Sequence, residues 1–170
     1  MRKINILLSS RATILQLFCS LVLLIILGVS FSATLPKGCE HIGYELNDPF
    51  LVLNQAGNQT FYLIENTTND KIELQKHETE DVFMSPPLIA IIEKGKWAAF
   101  ASDVRNLHFQ CFVHEKFDII RVNCKDVVQV CQYPRVKFAL SNMGNYWVSV
   151  NQTQNAAIKE AISKGILLRW

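Results

Sequence analysis

Short apolar segments separated by turn-forming residues run through most of the chain after residue 33, a pattern typical of a β-rich protein. Segments 50–54 and 60–65 flank Gln-Ala-Gly-Asn-Gln, a loop that contains glycine, and we expect them to form a hairpin. A reversal at 67–70 leads into a strand at 71–75. Segments 88–93 and 97–101 surround Lys-Gly-Lys, and residues 88–92 are apolar on both faces. We expect this last pair of strands to form the middle of the core.

Alternation gives the next two segments a defined register. Apolar residues occupy every second position of 107–113 and of 120–124. If Phe117 and Asp118 form a two-residue turn, Cys111 lies opposite Cys124 on the buried face. This register favours a disulfide between these two cysteines. A shift of the hairpin by two residues would keep the same faces and separate the pair.

The period of the pattern changes near the end of the chain. Strands are predicted at 127–132, 136–140 and 146–150. Thr153 is a good helix N-cap, a narrow stripe formed by Ala157, Ile158, Ala161 and Ile162 follows, and Gly165 marks a stop before a short strand at 166–168. The sequence therefore predicts an all-β or β-dominated α+β domain, with an antiparallel, sandwich-like sheet and one C-terminal helix.

The first 32 residues are typical of a secretory signal. Arg2, Lys3 and Arg11 precede an apolar run from residue 14 to 31, and Ser30 and Ser32 suit a signal peptidase. We expect cleavage before residue 33, which leaves a single domain at 33–170. An uncleaved anchor is the alternative, because roughly 18 apolar residues can cross a bilayer. A lipid-modified Cys19 is disfavoured because the bulky Phe18 precedes it.

Removal of this segment changes the charge and the cysteine count. The chain has 17 basic and 15 acidic residues, and the loss of three basic residues leaves 14 against 15, a charge of about −1. No basic surface for nucleic acid is implied. The four cysteines that remain, Cys39, Cys111, Cys124 and Cys131, favour two disulfides in an oxidising compartment. If Cys111 pairs with Cys124, Cys39 is left with Cys131; a bridge between Cys124 and Cys131 is the open alternative.

No catalytic, metal or cofactor motif follows the signal. His108 and His114 share one face of a predicted strand, but six residues separate them by about 20 Å, too far for one metal ion. His77 lies in the segment 76–81 with the acidic residues Glu78, Glu80 and Asp81. This segment lacks the spacing of a calcium loop and is interpreted as a solvated acidic loop. The cysteine intervals do not fit zinc.

The remaining candidates are sequons and aromatic residues. Asn58, Asn66 and Asn151 each begin a glycosylation sequon, interpreted as an effect of an Asn- and Thr-rich composition. Trp97 and Trp147 lie in apolar strands and are predicted core residues. Phe112 and Phe117 point away from the predicted core and are the candidate surface contacts for a partner.

Four groups of residues together resemble the enhanced entry protein EnhB family, small exported proteins of intracellular bacterial pathogens. They are Gly38-Cys39-Glu40-His41-Ile42-Gly43-Tyr44, Glu93-Lys94-Gly95-Lys96-Trp97-Ala98-Ala99, the cysteine series, and Gly144-Asn145-Tyr146-Trp147-Val148 with residues 156–168. The resemblance implies a bacterial envelope or secreted protein linked with uptake into, or survival within, host cells. It brings no catalytic residues.

Three functions follow from these observations. The first is a non-enzymatic periplasmic or secreted module that binds an unknown envelope or host protein, without a cofactor and without a membrane span after signal cleavage. The second is an envelope hydrolase, or an accessory of one, that uses Glu78, Glu80 and Asp81. The third is a eukaryotic secreted glycoprotein.

Overall fold

The computed structural model describes residues 35–42, 51–53, 59–77, 88–103, 107–139 and 145–168. The predicted signal peptide and its cleavage site lie outside the described residues. Among those described, no helix is long and apolar enough to cross a bilayer. The strands and helices are β1 (Glu40–His41), β2 (Leu51–Leu53), β3 (Thr60–Asn66), β4 (Lys71–His77), β5 (Leu88–Ile92), β6 (Trp97–Ser102), β7 (Leu107–His114), β8 (Ile119–Val122), α1 (Cys124–Val127), β9 (Val128–Tyr133), β10 (Val136–Phe138), β11 (Asn145–Gln152), α2 (Gln154–Ser163) and β12 (Ile166–Leu168).

The strands form two large antiparallel sheets and one two-stranded ribbon. The first sheet has the order β1-β9-β3-β6-β11. The second has the order β2-β7-β4-β5, and β8 also pairs with β7. Strands β10 and β12 form the ribbon. The predicted class is confirmed, because antiparallel strands dominate and the helix near the C-terminus follows them.

The two large sheets differ in what covers them. Apolar side chains from both sheets, such as Tyr62, Phe100 and Phe109, form one core between the sheets. The other face of the first sheet packs on α2 and the ribbon, through a second core that includes Ala157 and Ile166. The first sheet is therefore buried on both faces. The second sheet has one face on the shared core, and its strand β4 alternates between buried and more exposed residues.

The predicted hairpin of segments 50–54 and 60–65 is wrong. Strand β2 pairs with β7 in the second sheet, whereas β3 lies between β6 and β9 in the first. The connections 67–70 and 93–96 also join strands of different sheets. A loop rich in turn-forming residues reverses the chain in either arrangement, so its composition does not distinguish a hairpin from a crossover between sheets.

The side chain of Asn66 forms hydrogen bonds to residues at two of these connections. Asn66, at the end of β3, is 1% exposed. Its Nδ2 donates to the backbone oxygens of Asp70, at 2.7 Å, and of Ile92, at 2.9 Å. Its Oδ1 accepts from the backbone N and from the Oγ1 of Thr68, both at 2.8 Å. The Asn66 side chain thus connects the ends of β3 and β5 with the start of β4.

The expected central position is confirmed for one strand and wrong for the other. Strand β6 lies between β3 and β11, and its residues are buried. Strand β5 is the last strand of the second sheet's path and exposes Leu88, Ile89 and Ile91 by 40%, 50% and 41%. An uninterrupted apolar run is expected for a central strand, but an edge strand with exposed apolar residues has the same sequence pattern.

The register of the β7–β8 hairpin differs from the prediction by two residues. Cys111 pairs with Val122, and the backbone N of Glu115 donates to the oxygen of Asp118, so Lys116 and Phe117 form the turn. The disulfide between Cys111 and Cys124 is nevertheless present, with 5.2 Å between the Cα atoms. It forms because the chain leaves β8 after Val122 and begins α1 at Cys124, which lies beside β7. The second disulfide joins Cys39 to Cys131.

The C-terminal helix begins and ends where its sequence predicts. The Thr153 Oγ1 accepts from the backbone N of Ala156, and Gly165 follows the helix with a φ of +83°. Ala157 and Ala161 are buried, so small side chains allow close packing on the sheet. Ile162, predicted to lie in the same stripe, is 47% exposed.

Replacement of Gly165 by alanine is expected to destabilise the protein by about 2 kcal/mol, because a positive φ and a steric overlap both oppose a side chain there. A Cβ at this position would lie 2.7 Å from the Cβ of Ala139. Urea unfolding measures the change. Gly95→Ala is the matched control, because its φ is +63° and no atom lies within 4 Å of its added Cβ. Equal losses in the two variants would contradict a role for the overlap.

Candidate interaction surface on the second sheet

The second sheet presents one face away from the shared core, here called the outer face. Residues that alternate with the core residues of β4, β5, β7 and β8 point to it. Lateral pairing places them in rows, one of which runs from Ile91 through Glu73 and Phe112 to Arg121. From β5 to β8 the face spans three strand spacings, about 14 Å. The outer face consists of Lys71, Glu73, Gln75, His77, Ile89, Ile91, His108, Gln110, Phe112, His114, Ile119 and Arg121.

Exposed apolar side chains are concentrated around this sheet. Among the described residues, eight large apolar side chains are exposed, and six of them belong to β5 or the β7–β8 hairpin. These six are Leu88, Ile89, Ile91, Phe117, Ile119 and Ile120. The other two, Ile162 and Leu167, lie in α2 and β12. Clusters of exposed apolar residues mark binding surfaces more often than isolated ones do.

The hairpin turn presents the most exposed of these residues. Phe117 is 89% exposed, and the Nζ of Lys116 lies 5.3 Å from the centre of its ring. Ile119, in the adjoining strand, is 57% exposed. Phe112, the other sequence candidate, is half-buried within the outer face. Both candidate phenylalanines therefore lie on or beside the same face.

Charged groups on the outer face have partners. The Nε2 of His114 lies 2.9 Å from the Oε2 of Glu73, and Gln75 donates to the other oxygen of that carboxylate at 2.7 Å. Lys71 forms an ion pair of 3.0 Å with Glu93. Because Lys71 is ion-paired and the Glu73 carboxylate is hydrogen-bonded on both oxygens, apolar side chains distinguish the outer face more than a net charge does.

Two histidines meet at the other end of the outer face, a pairing that the sequence did not reveal. His77 is the last residue of β4 and is 4% exposed, so the prediction of a solvated loop is wrong at this position. It pairs laterally with His108 of β7. Burial, and then the charges of Lys76, His108 and Arg121, lower the pKa of His77, against a hydrogen bond with Gln110 that raises it.

The other sequence candidates lie elsewhere. Trp97 is buried in the second core, and Trp147 packs against Phe100 and Phe109. Asn66 is buried, and its amide nitrogen makes two hydrogen bonds, so a glycan on it is incompatible with this structure. Asn151 is exposed and accepts a hydrogen bond from the backbone of Glu93.

Glu78, Glu80 and Asp81, the residues predicted for hydrolytic chemistry, and the sequon residue Asn58 lie outside the described part of the chain. Within it, no three His, Cys, Asp or Glu residues are grouped so that they could hold a metal ion. Burial raises the pKa of Glu65, which sequence reasoning missed, but a single carboxyl does not provide an acid–base pair.

No family model, no curated protein and no solved structure matches the chain.

Proposed function

We propose that the protein is a non-enzymatic exported module that binds another protein through the outer face of the second sheet and the adjoining β7–β8 hairpin. The observation that carries this proposal is that, among the described residues, six of the eight exposed large apolar side chains lie on β5 and that hairpin. Ile89, Ile91 and Ile119 are on the outer face, and Phe117 is at the turn beside it. The cores of protein interfaces are enriched in aromatic residues and depleted of charged ones, and a few central residues carry most of the binding energy.

The charges of the surface favour a protein over a polyanion. Lys71 is paired with Glu93, Glu73 is hydrogen-bonded to His114 and Gln75, and the mature chain has a predicted charge of about −1. Nucleic acid binding depends on many unpaired basic groups that replace counterions. A protein surface with its own apolar residues and polar rim fits the outer face better.

The hairpin that presents Phe117 is fixed by a disulfide and by the pairing of its two strands. Cys111 in β7 is bonded to Cys124, the second residue after β8. The strands are also paired from Cys111 with Val122 to His114 with Ile119. A hairpin fixed in this way loses little conformational entropy when a partner binds. Phe117 and Ile119 are therefore suited to be anchor residues.

Disulfides and the predicted signal support a location outside the cytoplasm, in the periplasm or the surrounding medium. The resemblance to the EnhB family adds a setting, which is contact with host cells. On these two grounds we propose that the partner is a host or an envelope protein.

Site-specific photocrosslinking tests the proposal. A photoreactive phenylalanine analogue at Phe117 is expected to capture one defined protein, and the same group at Leu167 is not, although Leu167 is also exposed. The captured protein is then purified and titrated against the unmodified chain and the variant Phe117→Ser with Ile119→Ser. We expect the double variant to bind at least about 30-fold more weakly, corresponding to 2 kcal/mol or more.

The matched control is Ile162→Ser with Leu167→Ser, which removes two exposed apolar side chains from the helix and ribbon. Its affinity should equal that of the unmodified chain. Equal weakening in both double variants would contradict a specific role for the outer face. Crosslinks only between copies of this chain, with a concentration-dependent mass, would instead identify a self-association surface and overturn the proposal.

A further inference from the structure

Three of the four histidines in the sequence lie on the outer face, and two of them are lateral partners. His77 of β4 and His108 of β7 occupy directly paired positions, where side chains have Cβ atoms roughly 5 Å apart. His77 is 4% exposed and His108 is half-buried. Neutral imidazoles can be accommodated side by side at such a position, but two imidazolium ions would repel each other with little solvent screening.

The charged groups near this pair add to the repulsion. Lys76 comes from the same strand as His77, Arg121 comes from β8, and both disfavour a charge on His77. Val52, the residue of β2 that pairs with His108, is apolar. The side chain of Gln110 provides a hydrogen bond to His77. By contrast, His114 has the carboxylate of Glu73 at 2.9 Å, so its protonated form has an opposite charge beside it.

We propose that the His77–His108 pair makes the second sheet acid-sensitive, so that protonation loosens the pairing of β4 and β7 at this end. The effect does not depend on which protein, if any, binds the outer face. It would change the surface in a compartment whose pH falls through the range in which histidine titrates.

The direction follows from the lowered pKa of His77. In the unfolded chain this histidine takes up its proton near its ordinary value of 6.5, whereas in the folded protein it does so at a lower pH. Below about pH 6.5 the unfolded state therefore binds more protons, and the folded state loses stability as the pH falls to the lowered pKa. The stability contributed by the neutral form is fully present above this window.

Hydrogen exchange of the disulfide-bonded protein, followed by NMR and corrected for intrinsic rates, tests the inference at pH 7.5 and pH 5. We expect the opening constants of amides next to His77 and His108 to rise roughly tenfold or more at the lower pH. Amides of β3 and β9 in the first sheet should change much less. An equal rise in both sheets, or no rise, would overturn the proposal.

Variants separate the pair from other titrating groups. His77→Gln should remove most of the acid response. His108→Gln should remove only the part that comes from repulsion between the two imidazoles, because burial and Lys76 still disfavour a charge on His77, and the double variant should remove no more than His77→Gln alone. His41→Gln is the matched control, because His41 is exposed on β1 of the first sheet, and it should retain the full response. If neither substituted chain folds, NMR titration of the two imidazoles in the unmodified protein tests the proposal instead. Two independent titrations at ordinary values would contradict the proposal.

Discussion

Removal of the Cys39–Cys131 disulfide by double substitution with alanine is expected to lower the free energy of unfolding by about 4.7 kcal/mol. The two cysteines are separated by 92 residues, so the bridge closes a long loop in the unfolded chain. It also holds the segment before β1 against the first sheet, where Cys39 packs at the margin of the second core. Urea denaturation, with the slope compared between variants, measures the loss.

The second disulfide provides the matched control. Cys111 and Cys124 are only 13 residues apart, and their replacement by alanine should cost about 3 kcal/mol. Both double variants remove two sulfur atoms, so the difference between them, about 1.7 kcal/mol, reports mainly the loop that each bridge closes. A larger loss from the shorter loop would show that packing around Cys111, and not chain entropy, dominates.

Replacement of Asn66 by alanine is expected to cost about 3 kcal/mol, because it removes four hydrogen bonds and leaves a buried carbonyl without its donor. The affected groups are the backbone oxygens of Asp70 and Ile92 and the backbone N and hydroxyl of Thr68. Asp70 and Thr68 belong to the connection between β3 and β4, and Ile92 is the last residue of β5, just before the connection to β6. The variant should therefore unfold at lower urea concentration, and its β4–β5 amides should exchange faster.

Asn69→Ala is the control, because this residue lies in the same turn and is exposed. Its replacement should change the stability by no more than about 0.5 kcal/mol. Asn66→Asp keeps the acceptor and loses the donor, and at neutral pH it places a negative charge beside two carbonyl oxygens. It should be at least as destabilising as alanine. A neutral effect of Asn66→Asp would show that the two donor bonds do not stabilise the fold.

The sequence predicted those features of the fold that depend on interactions between residues close together in the chain. Thr153 and Gly165 determine the limits of a helix through a capping hydrogen bond and a positive φ, neither of which needs a distant partner. Alternation assigned Cys111 to the buried face and so favoured its bond to Cys124. That assignment holds although the register is shifted by two residues, because such a shift preserves the face of each side chain.

The remaining features of the fold depend on which strands pair. Strand pairing is not determined by residues that are close together in the chain. The chain changes sheets between β2 and β3, between β3 and β4, and between β5 and β6. Turn residues reverse the chain equally well in a hairpin and in a crossover, so the predicted pairing of β2 with β3 was wrong. An uninterrupted apolar run does not distinguish an edge strand from a central one, so the edge position of β5 was missed. The His77–His108 pair was missed because its members are 31 positions apart and only the pairing of β4 with β7 brings them together.

Alternate positions of β4 differ in how much the fold depends on them. Ile72 and Leu74 fill the interior, whereas Glu73 and Gln75 are partly exposed. A substitution at Ile72 or Leu74 should therefore cost more stability than one at Gln75. A combinatorial library at Gln75, Ile89, Ile91, Ile119 and Arg121 could diversify this protein as a disulfide-braced display scaffold, since these side chains can vary without repacking its interior.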